Sequence, residues 1–140
     1  MSAAKKILNK FTLGVVIFLI VCTFLSKSIA EAIKPEVEAV NPVRMSLTVE
    51  DKTMRYNLVV PYMAIIHGAE DRTYVYVIRE RQGLFGVDYY IKEVEVRVTI
   101  DDNFLYAAID GRIINPDDDI ALTWPGYYFM PGETVKVINR

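Results

Sequence analysis

The sequence predicts a mainly β protein with an N-terminal transmembrane helix, and three observations support this class. A charge-free apolar run of sixteen residues, 11–26, lies near the N-terminus between Lys10 and Lys27. Beyond Pro35, two-residue alternation of apolar and polar side chains recurs, and no stretch keeps a helical period. The chain has 140 residues, which is room for one globular domain. We therefore predict an anchor at 1–34 and an extracytoplasmic domain at 35–140, a small antiparallel β-sandwich or open barrel.

The apolar run alone is short for a membrane span. At ~1.5 Å per residue it covers about 24 Å, against a hydrocarbon core of roughly 30 Å. If the helix continues to Ile33, the span suffices, because Lys27 can extend its amine toward the headgroups. Pro35 supplies the end, since a residue that precedes proline is pushed out of the helical region. The predicted helix therefore ends near Lys34.

The basic residues at the N-terminus predict the orientation of this helix. Lys5, Lys6 and Lys10 remain cytoplasmic by the positive-inside rule, so the chain crosses the plasma (inner) membrane once and the domain lies outside. The alternative is a signal peptide that is cleaved after Ala30. Lys27 argues against it, because it separates the apolar run from the cleavage site. A lipoprotein signal at Cys22 is disfavoured, since the three residues before it, Leu19-Ile20-Val21, are not the small residues that such a site needs.

The domain is predicted to contain seven strands, separated by glycine, proline, aspartate and asparagine turns. In the segment 92–100 (KEVEVRVTI), apolar residues alternate with polar ones, which predicts one buried and one exposed face. The segment 73–78 (TYVYVI) is apolar on both faces and is predicted to be central. The strands are expected at Val37–Val40, Tyr56–Val60, Thr73–Ile78, Lys92–Ile100, Phe104–Ile109, Ile120–Thr123 and Thr134–Ile138.

Charge and composition exclude several classes of function. From Glu31 onward the chain has twelve basic and eighteen acidic residues, a net charge of −6. Nucleic acid is therefore not an expected partner, because phosphate binding requires clustered Lys and Arg. A single cysteine excludes an internal disulfide, and a single histidine, His67, excludes a polyhistidine metal site.

The sequence contains no motif that identifies a catalytic or metal-binding residue. Asp117, Asp118 and Asp119 are consecutive and diverge, unlike the spaced oxygen ligands of a calcium loop, so they are interpreted as a solvated turn. His67 follows an apolar segment without a recognisable nucleophile and is interpreted as a satisfied or exposed loop residue. We therefore predict no enzyme, and no catalytic, cofactor-binding or metal-binding residue.

Aromatic residues are the other unusual feature. The nine tyrosines all follow residue 50 and are interpreted as sheet packing and cross-strand pairs. The segment 124–129 (WPGYYF) carries four aromatics between turn formers. It has two interpretations: an exposed apolar tip that contacts a partner or a membrane, or burial in the domain. Burial is the favoured expectation.

An ordered set of motifs resembles the membrane-proximal module of HlyD-like periplasmic adaptors, also called membrane fusion proteins. The set begins with Val60-Pro61-Tyr62-Met63-Ala64-Ile65 and continues with the strands 73–78 and 94–98. It closes with Ala108-Ile109-Asp110-Gly111 and Gly132-Glu133-Thr134-Val135. The way in which the chain leaves its anchor, at 35–47, is also similar to such adaptors.

The chain departs from these adaptors by what it lacks. Adaptors carry a lipoyl-like domain, a helical hairpin and a β-barrel where this chain has only residues 48–57. The residues that leave the anchor, 37–47, are expected to supply a strand to the module, and the turn 50–52 to replace the missing parts. The segment 115–120 departs from the family pattern, which leaves the pairing of the late strands open.

The resemblance implies an efflux or secretion role without catalysis. It implies an anchored accessory protein that docks on the outward face of an ABC-type or other export permease, with the lipid bilayer as the second partner through the helix. Self-assembly of the chain into a homo-oligomer is kept open. The alternatives are a stand-alone structural or sensory β-domain of the cell surface, and an internal-deletion remnant of an adaptor.

Overall fold

The computed structural model describes residues 3–110, 112–124 and 127–139. The chain divides into two units between Lys34 and Pro35. The first is an α-helix, and the second, called the lobe below, is built of β-strands. The predicted class, mainly β with one N-terminal apolar helix and antiparallel sheets, is confirmed at this level.

The helix α1 spans Ala3–Ala32 and has 30 residues, a length of about 45 Å at ~1.5 Å per residue. Its part from Lys6 to Ala32 is long and apolar enough to cross a membrane, a criterion that a signal sequence also meets. The helix ends three residues before Pro35, close to the predicted boundary. The Ile33 N–H still donates to the Ile29 carbonyl over 3.1 Å.

The described part of the lobe contains ten strands, three more than the sequence predicts. Their bounds are β1 Glu36–Val40, β2 Val43–Val49, β3 Lys52–Pro61, β4 Ile66–His67, β5 Thr73–Gly83, β6 Gly86–Glu95, β7 Arg97–Ile100, β8 Tyr106–Asp110, β9 Asp119–Leu122 and β10 Thr134–Val137.

Five of these strands form a closed ring. The order is β5–β6–β10–β1–β9, and β9 pairs again with β5 through Val77↔Ile120 and Ile78↔Asp119. All pairs are antiparallel except β1 with β10, which are parallel. The prediction that the residues after the anchor supply a strand is confirmed for β1, which lies between β10 and β9.

The ring has a filled interior and one apolar outer side. On β5, the side chains of Tyr76 and Ile78 belong to the interior cluster, whereas those of Val75 and Val77 belong to the cluster shared with the second sheet. The prediction that 73–78 is covered on both faces is thus correct for these four residues. The interior cluster contains Val37, Ile66, Tyr76, Ile78, Ile91, Ala121, Phe129 and Val135.

The second sheet has four strands in the order β2–β3–β8–β7. Strands β2 and β3 are joined at Glu50 and Asp51, whose positive φ angles of 49° and 61° suit a two-residue hairpin turn. One face of the sheet packs on the ring, and the other carries a small cluster of Leu47, Val59 and Ala108.

Two predicted strands differ from the structure for clear reasons. The segment 92–100 is divided at Val96, where the chain leaves the ring as β6 and enters the second sheet as β7. Its alternation persists, with Val94 and Val96 buried. Strand β8 begins at Tyr106 instead of Phe104, because Phe104 has a φ of 57°, which is not a strand conformation. In addition, the N–H groups of Leu105 and Tyr106 donate to the Asp101 carboxylate.

Candidate interaction surface

A groove lined by aromatic side chains lies at one end of the ring and has a volume of about 260 Å³. A single 3₁₀ turn at Tyr62–Ala64, strand β4 and the segment that follows β9 form its walls. We call this site the aromatic groove. It is lined by Tyr62, Met63, Ile65, Ile66, His67, Thr123, Trp124, Tyr127 and Tyr128.

Local contacts hold the walls of the aromatic groove together. The Thr123 hydroxyl donates to the Met63 carbonyl over 3.5 Å, which joins the two walls. The Tyr127 N–H donates to the Trp124 carbonyl over 3.0 Å. Phe129 follows and enters the ring interior, where its ring meets that of Tyr76 edge-on at 5.4 Å. The segment is therefore attached to the core through Phe129.

The favoured expectation of burial for the segment 124–129 is wrong for most of its described residues. Trp124 is 80% exposed, Tyr128 is 62% exposed, and Tyr127 is also exposed. Only Phe129 is buried among the described residues of this segment; Pro125 and Gly126 lie outside them. Phe129 enters the ring interior, whereas Trp124, Tyr127 and Tyr128 line the groove outside it.

His67 lies on the groove, in the two-residue strand β4. Its Nε2 is 3.3 Å from the Tyr62 hydroxyl, and its side chain is exposed. The Tyr62 ring in turn meets Phe104 edge-on at 6.0 Å. His67 is therefore exposed and has a hydrogen-bond partner, as expected, but it lies in a short strand instead of a loop.

The aspartate turn is not uniformly solvated, which corrects its interpretation. Asp118 is 8% exposed and accepts a bidentate pair of hydrogen bonds from the Arg79 guanidinium. Its Oδ2 also accepts from the Asn115 N–H over 2.9 Å. Burial by itself would raise the pKa of Asp118, but the Arg79 and Asn115 hydrogen bonds and the Arg79 charge outweigh it and hold this pKa below its usual value.

The tyrosines divide between packing and the surface. Tyr76 is buried in the ring, and its hydroxyl donates to the Phe129 carbonyl over 3.3 Å. Burial raises the pKa of Tyr76. Tyr74 packs edge-on against Tyr76 at 5.5 Å, as expected for side chains of a sheet. Tyr127 and Tyr128 instead line the aromatic groove.

Sequence reasoning does not find Tyr62 and Met63 as part of this surface. They lie about sixty residues before Trp124, in the segment quoted for the adaptor resemblance. The two walls meet only because β9 pairs with β5, a non-local contact. No short-range pattern carries that information.

Within the described residues, no group of three or more His, Cys, Asp or Glu side chains could hold a metal ion. What the aromatic groove offers chemically is apolar area with a few hydroxyl groups and one imidazole. Comparisons of the chain with protein-family models, curated proteins and solved structures found no match. The similarity to HlyD-like adaptors therefore rests on the quoted motifs alone.

Proposed function

We propose that this protein is a membrane-anchored, non-catalytic accessory subunit of an export transporter, similar to a shortened HlyD-like adaptor. In this proposal the lobe is outside the plasma (inner) membrane and docks on the outward face of an ABC-type or other export permease. The observation that carries the proposal is the direct connection between an apolar helix of membrane-spanning length and a closed lobe. Only residues 33–35 lie between α1 and β1.

The first strand after the anchor is part of the ring itself. Strand β1 pairs with β10 on one side and β9 on the other. Tension or displacement at the anchor is thus transmitted to a strand with two partners, not to a free tail. This arrangement supports a role in which the lobe stays attached to the membrane through a strand of its ring.

Binding in this proposal uses the outer surface of the lobe. The ring interior is filled by apolar side chains, including Tyr76, Ile91 and Phe129. Confinement of the lobe and a permease to one bilayer raises their effective concentration, so that a weak contact surface gives stable association. Lys5, Lys6 and Lys10 support the outward orientation by the positive-inside rule.

The test is cross-linking of the full-length, C-terminally tagged chain in its native membrane, followed by mass spectrometry of the captured proteins. We expect subunits of a polytopic export permease. Two variants separate confinement to the membrane from contacts of the helix itself. One has residues 1–30 replaced by a cleavable secretion signal, so that the lobe is exported without an anchor, and one has residues 11–26 replaced by an unrelated apolar helix. Permease recovery should be lost in the first and retained in the second.

Two outcomes contradict the proposal. Equal permease recovery without the anchor would exclude confinement as the basis of binding. A monodisperse, partnerless monomer from native membranes would favour a stand-alone surface domain or an adaptor remnant. Circular dichroism of the truncated chain, with an unchanged β signal, verifies that the loss of binding is not a loss of fold.

A further inference from the structure

The aromatic groove lies at the end of the ring where the chain enters from the anchor. Strand β9 is antiparallel to β1, and its last residue, Leu122, pairs with Glu38 near the start of β1. Trp124 follows two residues later. Strand β4 pairs with the first residues of β5, Thr73 and Tyr74, at the same end. Both walls of the groove are therefore on the anchor side of the ring.

The opposite end of the ring is marked by the β5–β6 hairpin. Its tip residue Leu84 is 92% exposed. Strand β5 extends from Thr73 to Gly83, 11 residues or about 36 Å at ~3.3 Å per residue. The two ends are thus far enough apart for a depth measurement to distinguish them.

The chemistry of the groove is that of a membrane interface. Residues 120–132 contain no charged side chain, and the segment 62–67 contains only His67 as a titratable group other than tyrosine. Trp124, Tyr127 and Tyr128 combine apolar rings with a polar N–H or O–H group, the combination enriched at the headgroup level of bilayers. Met63 adds a flexible apolar side chain that is more than half exposed.

Charge argues against attraction to anionic headgroups as the basis of contact. Residues 35–140 contain 11 basic and 17 acidic side chains, a net charge of −6. Anionic lipids would repel such a lobe, so its contact with a bilayer must come from apolar insertion at an uncharged patch. The aromatic groove is such a patch.

The tether keeps this patch close to lipid. Three residues, 33–35, separate α1 from β1 and reach at most about 10 Å when extended. A lobe of this size has a radius of gyration of about 13 Å. The anchor-side end of the ring therefore cannot move far from the bilayer in which α1 is held.

We propose that the aromatic groove inserts into the headgroup region of the bilayer that holds α1, with Trp124 as its deepest side chain. The occupant of the groove is lipid, and the contact fixes the lobe upright on the membrane. This inference depends on retention of α1 in a membrane and not on the proposed permease.

The sequence provides its own probe, because Trp124 is the only tryptophan. The full-length chain is placed in phosphatidylcholine nanodiscs, with and without brominated acyl chains, and no permease is present. We expect brominated lipid to quench Trp124 emission and the emission to lie at shorter wavelength than in water. Acrylamide, a soluble quencher, should have little effect.

A matched control moves the tryptophan to the other end of the ring. The double variant Trp124→Phe and Leu84→Trp still has a single tryptophan and keeps an aromatic side chain at position 124. Its emission should be quenched by acrylamide and unaffected by brominated lipid. Circular dichroism verifies that both chains have the same β content.

Three results would overturn the inference. In the first, acrylamide quenches Trp124 and brominated lipid does not, so the groove is in water. In the second, both tryptophan positions respond equally to brominated lipid, so the lobe has no preferred face. In the third, Trp124 is protected from both quenchers and nanodiscs contain two chains, so a second copy covers the groove.

Discussion

The ring and the four-stranded sheet differ in how their edges end. Each ring strand has a neighbour on both sides, and the β5–β9 pairing closes the circle. The four-stranded sheet begins with β2 and ends with β7, which have no outer strand partner among the described residues. Closure removes the open edge that a sheet must otherwise protect. We infer that the ring is the rigid part of the lobe.

The two parts also differ in what they bury. Among the described residues, the ring interior contains eight buried ones, including Tyr76, Ile78 and Ile91, whereas the outer face of the sheet has three, Leu47, Val59 and Ala108. A closed interior cannot collapse around a deletion, but an open face can relax. Truncation of a buried side chain to alanine should therefore lower the free energy of unfolding more in the ring interior than on the outer face of the sheet.

The largest effect is expected from Ile91→Ala in the ring. Ile91 is fully buried, and its truncation should lower the free energy of unfolding by about 4 kcal/mol, because the surrounding strands cannot close the cavity. Leu47→Ala on the outer face should cost about 2 kcal/mol. Urea unfolding of the full-length chain in detergent, followed by circular dichroism, measures both. Equal costs would show that the outer face is packed as rigidly as the ring.

The second prediction concerns the pairing that closes the ring, between β5 and β9. Only two residue pairs form it, and the bidentate Arg79–Asp118 ion pair extends it. Asp118→Asn should lower the free energy of unfolding by about 2 kcal/mol, less than for a fully buried pair because the Arg79 side chain is 31% exposed. The neighbouring Asp117→Asn, on an exposed side chain, should change it by less than about 0.5 kcal/mol.

The pH dependence of the same pair sharpens this prediction. The pKa of Asp118 is lower in the folded state than in an unfolded chain. Its stabilisation is therefore complete above the unfolded value of about 4 and is lost as the pH falls through the folded value. The Asp118→Asn chain should lose less stability than the unmodified chain between about pH 5 and about pH 2. Parallel acid curves would exclude this carboxylate as a contributor.

The comparison also shows what sequence reasoning can recover. The alternation at 92–100 and the apolar segment 73–78 predict strands correctly, because burial on one or two faces is a local pattern. Ring closure is not local: β9 has four residues, and nothing near it indicates β5 as its partner. The sequence does not predict β2, because most of its side chains are exposed and its alternation is weak.

The candidate surface was predicted less well than the fold. The segment 124–129 has an unusual composition, but aromatic side chains suit both a core and an interface, so the sequence does not predict the exposure of Trp124. Asp118 differs from Asp117 in its burial and in its hydrogen bonds from Asn115 and from Arg79, which lies 39 residues away. In both cases a distant strand decides the environment.

The smallest effect is expected at the anchor-side end of the ring interior, from Tyr76→Phe. The substitution removes a hydroxyl that donates to the Phe129 carbonyl, and should lower the free energy of unfolding by about 1 kcal/mol. Burial raises the pKa of Tyr76, so its neutral form stabilises the fold fully below about pH 10, the unfolded value, and this stabilisation is lost as the pH rises toward the folded value. Urea unfolding at neutral and alkaline pH measures both effects. If the Tyr76→Phe chain lost stability above about pH 10 as steeply as the unmodified chain, the phenol would be ionising in the folded ring, and this end of the interior would be open to water.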